Sequence, residues 1–206
     1  MRDFSRKIRD LFFFPVRCLF PNNEYIGFLG VTPLSEERFR AVKLYLKGRV
    51  LDLGCGDNRL MREYCLGGGE GVGADLATNP QADVFLTAGE PLPFADRSFD
   101  IIVMLASLNH IPDRERVLRE CYRCLVPGGH IVLTVLGSVV GTVGHWLWGC
   151  LGSDADLKHR RMAEGELKGM SQAEVYRMLA QAGFKNIQHH VFTMGLNNLY
   201  VAERSL

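Results

Sequence analysis

VLDLGCGDNRL, residues 50–60, joins a short apolar run to a glycine-rich turn. The apolar part predicts a buried strand, and Gly54 and Gly56 supply the backbone freedom that lets a ligand approach the turn closely. Asp52 places a carboxylate at the tip of this strand. About twenty residues further on, Asp75 ends a second predicted strand, where a carboxylate can accept hydrogen bonds from both hydroxyls of a ribose. The two strand tips together predict a site for an adenosine-like ligand.

The rest of the chain alternates predicted strands with predicted helices. Strands are expected over 49–53, up to Asp75, and over 83–86, 99–105, 130–135, 186–193 and 198–202. Helices are expected from Ser35 as N-cap to Gly48, over 58–66, from Asp113 to Pro127-Gly128-Gly129, and from a capping box of Ser171 and Glu174 to Gly183. This alternation predicts an α/β fold, a parallel sheet with helices on both faces, and an antiparallel edge from the last two strands.

Composition narrows the function classes. The chain has 206 residues, enough for one domain of ordinary size, and its 24 Lys and Arg nearly balance its 23 Asp and Glu. A net charge of +1 provides no general attraction to nucleic acid. The six cysteines lack the dense spacing of a disulfide scaffold, and Cys121 and Cys124 follow the apolar face of their helix. We therefore expect core cysteines, no metal site and a reducing, cytoplasmic location.

Two apolar segments raise the question of a membrane. The basic start of the chain precedes the apolar cluster 11–14, but that cluster is short and lacks a small-residue cleavage site, so we expect no secretion. Residues 2–17 carry five positive and two negative charges, which is compatible with a membrane surface, although folding over the active site is the preferred interpretation. Residues 131–153 bear no formal charge apart from a histidine, yet five glycines from position 137 onward favour a strand and a lid over a span.

Four segments resemble successive motifs of the class I S-adenosylmethionine-dependent methyltransferases. They are VLDLGCGDNRL, GADL, GEPLPFADRSFDIIV and LRECYRCLVPGGHIVLTV, which lie between residues 49 and 136. The resemblance implies the Rossmann-like three-layer sandwich of that family, with a mostly parallel seven-stranded sheet and an antiparallel C-terminal strand. It implies a methyltransferase domain over 35–206, with residues 137–170 as a substrate-side lid insertion and residues 1–34 as an N-terminal helical extension.

The resemblance also implies S-adenosyl-L-methionine as methyl donor and S-adenosyl-L-homocysteine as product. Gly54, Cys55 and Gly56 would line the methionine part of the donor, and Asp52 would support its ammonium group directly or through water. Asp75 would hold the ribose, and Leu76 is included among the cofactor-binding residues. Ala88, Gly89 and Glu90 would flank the adenine, and Leu105, Ala106 and Ser107 would pass close to the methionine and sulfonium. Many members carry an acidic residue where this chain has Ala88, so the contact to the adenine amino group is missing or comes from backbone.

The main rival interpretation of the glycine turn is a nicotinamide or flavin site. A dinucleotide fingerprint needs a third glycine near position 59 for close helix packing, and Arg59 stands there. This departure favours the methyl donor over an oxidoreductase. A noncatalytic module that binds the nucleoside is the other alternative.

The acceptor side of the predicted site is less defined. Methyl transfer is an in-line displacement at a carbon activated by the sulfonium, so the protein mainly aligns the acceptor. His110, just past the fourth strand, is a candidate base facing the acceptor, and anchoring of its loop is the equal alternative. Tyr25, His145 and Trp146 are candidate substrate residues, with lid packing as their alternative. We expect a small-molecule or lipid- or sugar-linked acceptor, with oxygen preferred over nitrogen or carbon.

Overall fold

The computed structural model describes residues 9–13, 30–137, 167, 169–192 and 197–206. Residues 9–12 are helical. Four longer helices follow among the described residues: α1 (Leu34–Lys43), α2 (Arg59–Leu66), α3 (Arg114–Cys124) and α4 (Gln172–Gln181). The strands are β1 (Arg49–Leu53), β2 (Glu70–Leu76), β3 (Val84–Leu86), β4 (Phe99–Leu105), β5 (Leu125–Leu136), β6 (Lys185–Phe192) and β7 (Asn197–Glu203). A short 3₁₀ helix, Leu108–His110, follows β4.

The seven strands form one sheet in the order β3-β2-β1-β4-β5-β7-β6. Strands β1 to β5 pair in parallel. Strand β7 lies between β5 and β6 and is antiparallel to both. The predicted α/β architecture, with its mostly parallel sheet and antiparallel C-terminal strand, is confirmed; β3 and β6 are the two edges of the sheet.

Alternate residues of the strands form two separate hydrophobic cores, one on each face of the sheet. Helices cover both faces and complete these cores. One core joins Leu51, Ile102 and Leu133 to apolar residues of α3 and α4. The other joins Val50 and Ile101 to apolar residues of α1 and α2. The period-2 alternation of β-strand side chains assigns neighbouring residues to opposite layers. This arrangement is the expected three-layer sandwich.

Several local signals for helix ends are confirmed. The Asp113 side chain accepts a hydrogen bond from the backbone N–H of Arg116 at the start of α3. The Ser171 and Glu174 capping box is formed at the start of α4. The buried positions of Cys121 and Cys124 on α3 also agree with the expected apolar face.

The predicted bounds of two helices are wrong. Helix α1 starts at Leu34, with Pro33 rather than Ser35 as N-cap, and it ends at Lys43. The carbonyl of Pro33 accepts the first intrahelical hydrogen bond, from the backbone N–H of Glu37 at 3.2 Å, which makes Pro33 the N-cap.

Helix α3 ends at Cys124, before the predicted stop, and β5 already begins at Leu125. Leu125 pairs with Phe99 and His130 with Ile101, so the residues between them form an irregularity within the strand pair. Gly128 has a φ of +78° there. The Pro-Gly-Gly sequence therefore bends a strand instead of ending a helix.

Within the described ranges, none of the helices has the length and apolar character needed to cross a membrane. Most of the N-terminal extension, and most of the expected insertion over 137–170, lie outside the described residues. So do the candidate substrate residues Tyr25, His145 and Trp146.

Candidate functional site

The site lies where the connections from the central strands diverge. From β1 the chain proceeds to β2 and β3 on one side, and from β3 it crosses to β4 and β5 on the other. In open α/β sheets, ligands bind beyond the carboxyl ends of the strands at such a switch point. A cleft of about 470 Å³ opens there, between the ends of β1, β2 and β4 and the start of α3. This volume is within the range of pockets for small molecules and cofactors.

Most of the predicted cofactor residues line this cleft. Those on its wall are Gly54, Asp75, Leu76, Ala88, Gly89, Glu90, Leu105, Ala106 and Ser107. Asp52, Cys55 and Gly56 do not line it. The structure thus brings together residues from four segments of the chain. The glycine turn contributes to the wall of the cleft mainly through Leu53 and Gly54.

The glycine turn is fixed to both neighbouring strands. The backbone N–H groups of Gly54 and Cys55 donate to the carbonyl of Ala74 on β2, at 2.8 and 3.2 Å. The Ser107 hydroxyl, beyond β4, donates to the carbonyl of Leu53 at 2.7 Å. A Cβ atom at Gly54 would lie 2.4 Å from the Cβ of Ser107. Gly54 is therefore required for the packing of Ser107 against the turn, in addition to any approach of a ligand.

Asp75 is half-buried at the carboxyl end of β2. One of its oxygens accepts from the backbone N–H of Gly56 at 2.9 Å and from the Asn79 side-chain amide at 2.8 Å. The other oxygen accepts from the N–H of Leu76 at 2.8 Å. A carboxylate has about four acceptor positions. Three of these positions are used, so Asp75 keeps capacity for one hydroxyl in the cleft, fewer than the two ribose hydroxyls expected from the sequence.

Asp52 is 2% exposed at the end of β1. Burial, followed by the charges of Asp75 and Asp57, raises the pKa of its carboxyl group to about 7. Its Oδ1 atom has no hydrogen-bond partner among the described residues. A buried carboxyl group in acidic surroundings is a fitting counter-ion for a cationic ligand, because a nearby positive charge stabilises its ionised form. This feature agrees with a donor that carries an ammonium and a sulfonium group.

Cys55 is a buried thiol in the same turn. Burial, with contributions from Asp52 and Asp75, raises its pKa to about 12. Since the thiolate is the nucleophilic form of cysteine, this side chain is an unreactive packing residue. Methyl transfer by direct displacement needs no enzyme nucleophile.

The loop of residues 87–90 closes the cleft opposite the turn. Glu90 donates its backbone N–H to the carbonyl of Thr87 at 3.2 Å, and Gly89 has a φ of +83°. A left-handed residue in a tight turn favours glycine. The expected adenine-flanking residues thus sit on a compact turn in the wall of the cleft.

His110 lines the cleft at the end of the 3₁₀ helix. Its backbone N–H donates to the carbonyl of Ser107 at 3.0 Å, and its Nε2 lies 3.1 Å from the Asn109 amide nitrogen. The residue therefore both helps hold its loop and faces the cavity. Both interpretations of His110, as base and as loop anchor, stay open on this geometry.

Sequence reasoning missed a polar network beneath the turn. The Asn58 side chain is 3% exposed and donates to the carbonyl of Gln81 at 3.1 Å and to Asp83 at 3.0 Å. Asp83 also accepts from the N–H of Gly73 at 2.8 Å. Asn58 has a φ of +56°, a conformation in which asparagine is enriched among non-glycine residues. In the sequence, the position of Asn58 just after the glycine turn was the available indication that it could adopt this conformation.

Arg59 connects α2 to α1. Its guanidinium pairs with Glu36 at 3.1 Å and with Glu63 at 2.7 Å, and it lies 4.5 Å from the Phe39 ring centroid. A large side chain is thus accommodated where a dinucleotide fingerprint needs glycine. Among the described residues, no group of three or more potential ligands could hold a metal ion.

The strand order, with β7 antiparallel between β5 and β6, and a cleft at the β1–β4 switch point define the class I methyltransferase fold. Phosphoethanolamine N-methyltransferase 2 of Haemonchus contortus, solved in complex with S-adenosyl-L-methionine, shares this fold. It aligns with a TM-score of 0.61 at 17% identity, over 82% of this chain and 53% of that chain.

Residues 51–133 match the family described as Methyltransferase domain. The ubiquinone/menaquinone biosynthesis C-methyltransferase of Geotalea daltonii is 30% identical over 126 residues, covering 56% of this chain and 53% of the relative. The ubiquinone biosynthesis O-methyltransferase of Photorhabdus laumondii is 27% identical over 124 residues, covering 53% of this chain and 50% of the relative. The chain spans about half the length of the curated relatives it matches.

Proposed function

We propose that this protein transfers the methyl group of S-adenosyl-L-methionine to a small-molecule acceptor in the β1–β4 cleft. The observation that carries the proposal is the meeting of the glycine turn, Asp75, the 87–90 turn and the segment after β4 around one cavity. These are the segments that the family resemblance connects with the parts of the donor. The donor supplies a methyl carbon activated by a sulfonium leaving group.

The chain's own residues would orient the two reactants. Asp75 would accept a hydrogen bond from a ribose hydroxyl, and the 87–90 turn would flank the adenine. Leu105, Ala106 and Ser107 would lie near the reacting carbon. His110, on the same wall, would receive the proton of a weakly acidic acceptor.

For the acceptor, we propose a hydroxylated aromatic ring. Two observations support this class: two relatives are named for quinone biosynthesis, and the cleft wall includes apolar residues such as Leu92, Leu105 and Ile111. The ionised ring is nucleophilic at both its oxygen and its carbon atoms. The preference for oxygen expected from the sequence is not shared by all relatives, since one is named as a C-methyltransferase and the other as an O-methyltransferase.

Calorimetry and product analysis test the proposal together. Wild type should bind S-adenosylmethionine and S-adenosylhomocysteine but not NAD. Asp75→Asn should weaken donor binding about 10- to 100-fold, because a hydrogen bond to a charged group contributes about 1.5–3 kcal/mol. Asp57→Asn is the matched control: this aspartate is exposed in the same turn and does not line the cleft. Unchanged binding in Asp75→Asn would remove the ribose assignment.

A panel of phenols and quinols incubated with methyl-deuterated donor then identifies the acceptor atom by mass spectrometry. Transfer of label to ring oxygen or ring carbon supports the proposed class. Donor binding without transfer to any acceptor would favour the noncatalytic module, and binding of NAD alone would favour an oxidoreductase.

A further inference from the structure

Residues 9–13 form a short surface segment whose inner side is polar and whose outer side is apolar. Asp10 is 8% exposed, and its carboxylate accepts a hydrogen bond from the backbone N–H of Thr32 at 2.8 Å. The next two residues of this helical turn, Leu11 and Phe12, are 56% and 78% exposed. Successive residues of a helix are rotated by about 100°, so Phe12 lies on the opposite side of the turn from Asp10. The charged residue thus faces the protein and the apolar residues face outward, the reverse of an ordinary surface helix.

The exposed apolar residues are attached to the body of the protein. Phe12 packs against Phe13 with ring centroids 5.2 Å apart and ring planes at 84°. The backbone N–H of Phe13 donates to the carbonyl of Arg9 at 2.9 Å. A Cβ atom at Gly30 would lie 3.0 Å from Cζ of Arg9, so the guanidinium lies against this glycine. We call Leu11, Phe12 and Phe13 the apolar ridge.

The apolar ridge is attached near the edge of the sheet where the cleft opens. Thr32, which donates to Asp10, lies two residues before α1. Glu36 in the first turn of α1 pairs with Arg59 at 3.1 Å, and Arg59 begins α2 just after the glycine turn. None of the described residues 9–13 lines the cleft. This part of the N-terminal segment therefore lies beside the active site and does not cover it.

The charge of the segment favours an anionic partner for the ridge. Residues 2–17 carry five positive and two negative charges. One of the two negative charges belongs to Asp10, which is buried, whereas Arg9 beside the ridge is exposed. Leucine and phenylalanine next to basic residues are typical of segments that lie in the interface of a bilayer, where apolar burial and attraction to anionic lipids act together. A second copy of this chain would instead bring like charges together.

We propose that the apolar ridge binds the surface of a membrane that contains anionic phospholipids. Leu11 and Phe12 insert at the boundary between headgroups and acyl chains, and Arg9 lies at the level of the headgroups. This orientation brings the edge of the sheet with the cleft toward the membrane. The inference goes beyond the proposed function and does not require it, because the ridge is separate from the residues that line the cleft.

Co-sedimentation with sucrose-loaded vesicles tests the proposal on the full chain, without donor or acceptor. Vesicles of equal parts phosphatidylglycerol and phosphatidylcholine should bind the protein. Vesicles of phosphatidylcholine alone should bind it at least about tenfold more weakly, and added salt should weaken binding to the anionic vesicles. The double variant Leu11→Ser and Phe12→Ser should bind anionic vesicles about 10- to 100-fold more weakly, because it loses the apolar surface that the membrane buries.

The matched control is the double variant Leu44→Ser and Leu66→Ser. These leucines lie at the C-terminal ends of α1 and α2 and are 85% and 88% exposed, more than the two ridge residues. The control variant should bind vesicles like wild type. Both variants change exposed side chains, so urea denaturation should give a midpoint close to that of wild type for each of them.

The comparison of the two vesicle compositions in wild type does not depend on the folding of a variant. Failure of wild type to bind anionic vesicles, or equal binding to both compositions, would overturn this inference and leave the proposed function standing. Equal losses in the ridge variant and the control variant would show that the ridge is not the contact. A dimer that the ridge variant abolishes, with no binding to vesicles, would assign the ridge to a second copy of the chain and also overturn the inference.

Discussion

Replacing Gly54 by alanine should disrupt the turn through a contact that is specific to one side chain. Gly54 has a φ of +81°, and a Cβ atom there would lie 2.4 Å from the Cβ and 2.9 Å from the hydroxyl oxygen of Ser107. Ser107 is itself held by its hydrogen bond to the carbonyl of Leu53. The new methyl group therefore requires a shift of the turn, of the segment after β4, or of both.

The size of the effect follows from two independent contributions. A left-handed backbone costs a non-glycine residue about 1–2 kcal/mol. Overpacking of a buried contact costs about 1–3 kcal/mol. The expected loss in the free energy of unfolding is thus about 2–5 kcal/mol, a large part of the ~5–15 kcal/mol typical of a domain.

Gly56→Ala separates backbone strain from overpacking. Gly56 is also left-handed, with a φ of +54°, but a Cβ atom there meets nothing within 4 Å. Urea denaturation should show a loss of about 1–2 kcal/mol for Gly56→Ala and a larger loss for Gly54→Ala.

A double-mutant cycle then tests the contact itself. Ser107→Gly removes the clashing atoms, so the Gly54→Ala and Ser107→Gly double variant should be more stable than the sum of the single losses predicts, by about 1–3 kcal/mol. Additive losses, or a Gly54→Ala variant as stable as Gly56→Ala, would refute the assigned contact.

Two further predictions concern the polar groups under the turn. Asn58→Gly keeps the left-handed backbone but removes the hydrogen bonds to Gln81 and Asp83, so stability should fall by about 1–3 kcal/mol and donor affinity should fall with it. The exposed, left-handed Asn186 is the control, and its change to glycine should alter stability by less than about 0.5 kcal/mol. Because folding raises the pKa of Asp52 from 3.8 to about 7, its contribution to stability should be complete below pH 3.8 and decline as pH rises toward 7.

Urea titrations across this pH range check the last expectation, with Asp52→Asn showing a flatter profile than wild type. A ligand-free wild-type profile that rises through the same interval, relative to Asp52→Asn, would contradict the assigned pKa direction. For Asn58, equal losses in the buried and the exposed variant would show that the network under the turn contributes little.

The elements that were predictable from sequence depend on short-range signals. Residues close together in the sequence specify each of these elements: the glycine turn, strand β4, the Asp113 N-cap and the Ser171 capping box. The end of α3 was not predictable in this way. Pro127-Gly128-Gly129 carries the usual signal for a helix stop, but pairing with β4 makes this segment part of a strand.

The candidate site likewise combines features that were predictable from the sequence with features that were not. The resemblance placed Asp75, residues 88–90 and Leu105 to Ser107 near one ligand, and the structure gathers them around one cleft. The contact of Gly54 with Ser107 joins residues that are far apart in sequence, and so does the bond of Asn58 to Asp83. Neither could be read from spacing, because each depends on which strands are neighbours in the sheet.

At position 52, the residue type that would best stabilise the fold differs from the residue type that the site contains. An apolar residue there would continue the buried run of β1, and burial without a partner costs a carboxyl group stability rather than adding to it. Departures from the preferences of a fold concentrate at functional positions, where a ligand provides the missing interaction. A cation bound above the turn would supply the positive counter-charge, which the surrounding aspartates cannot provide.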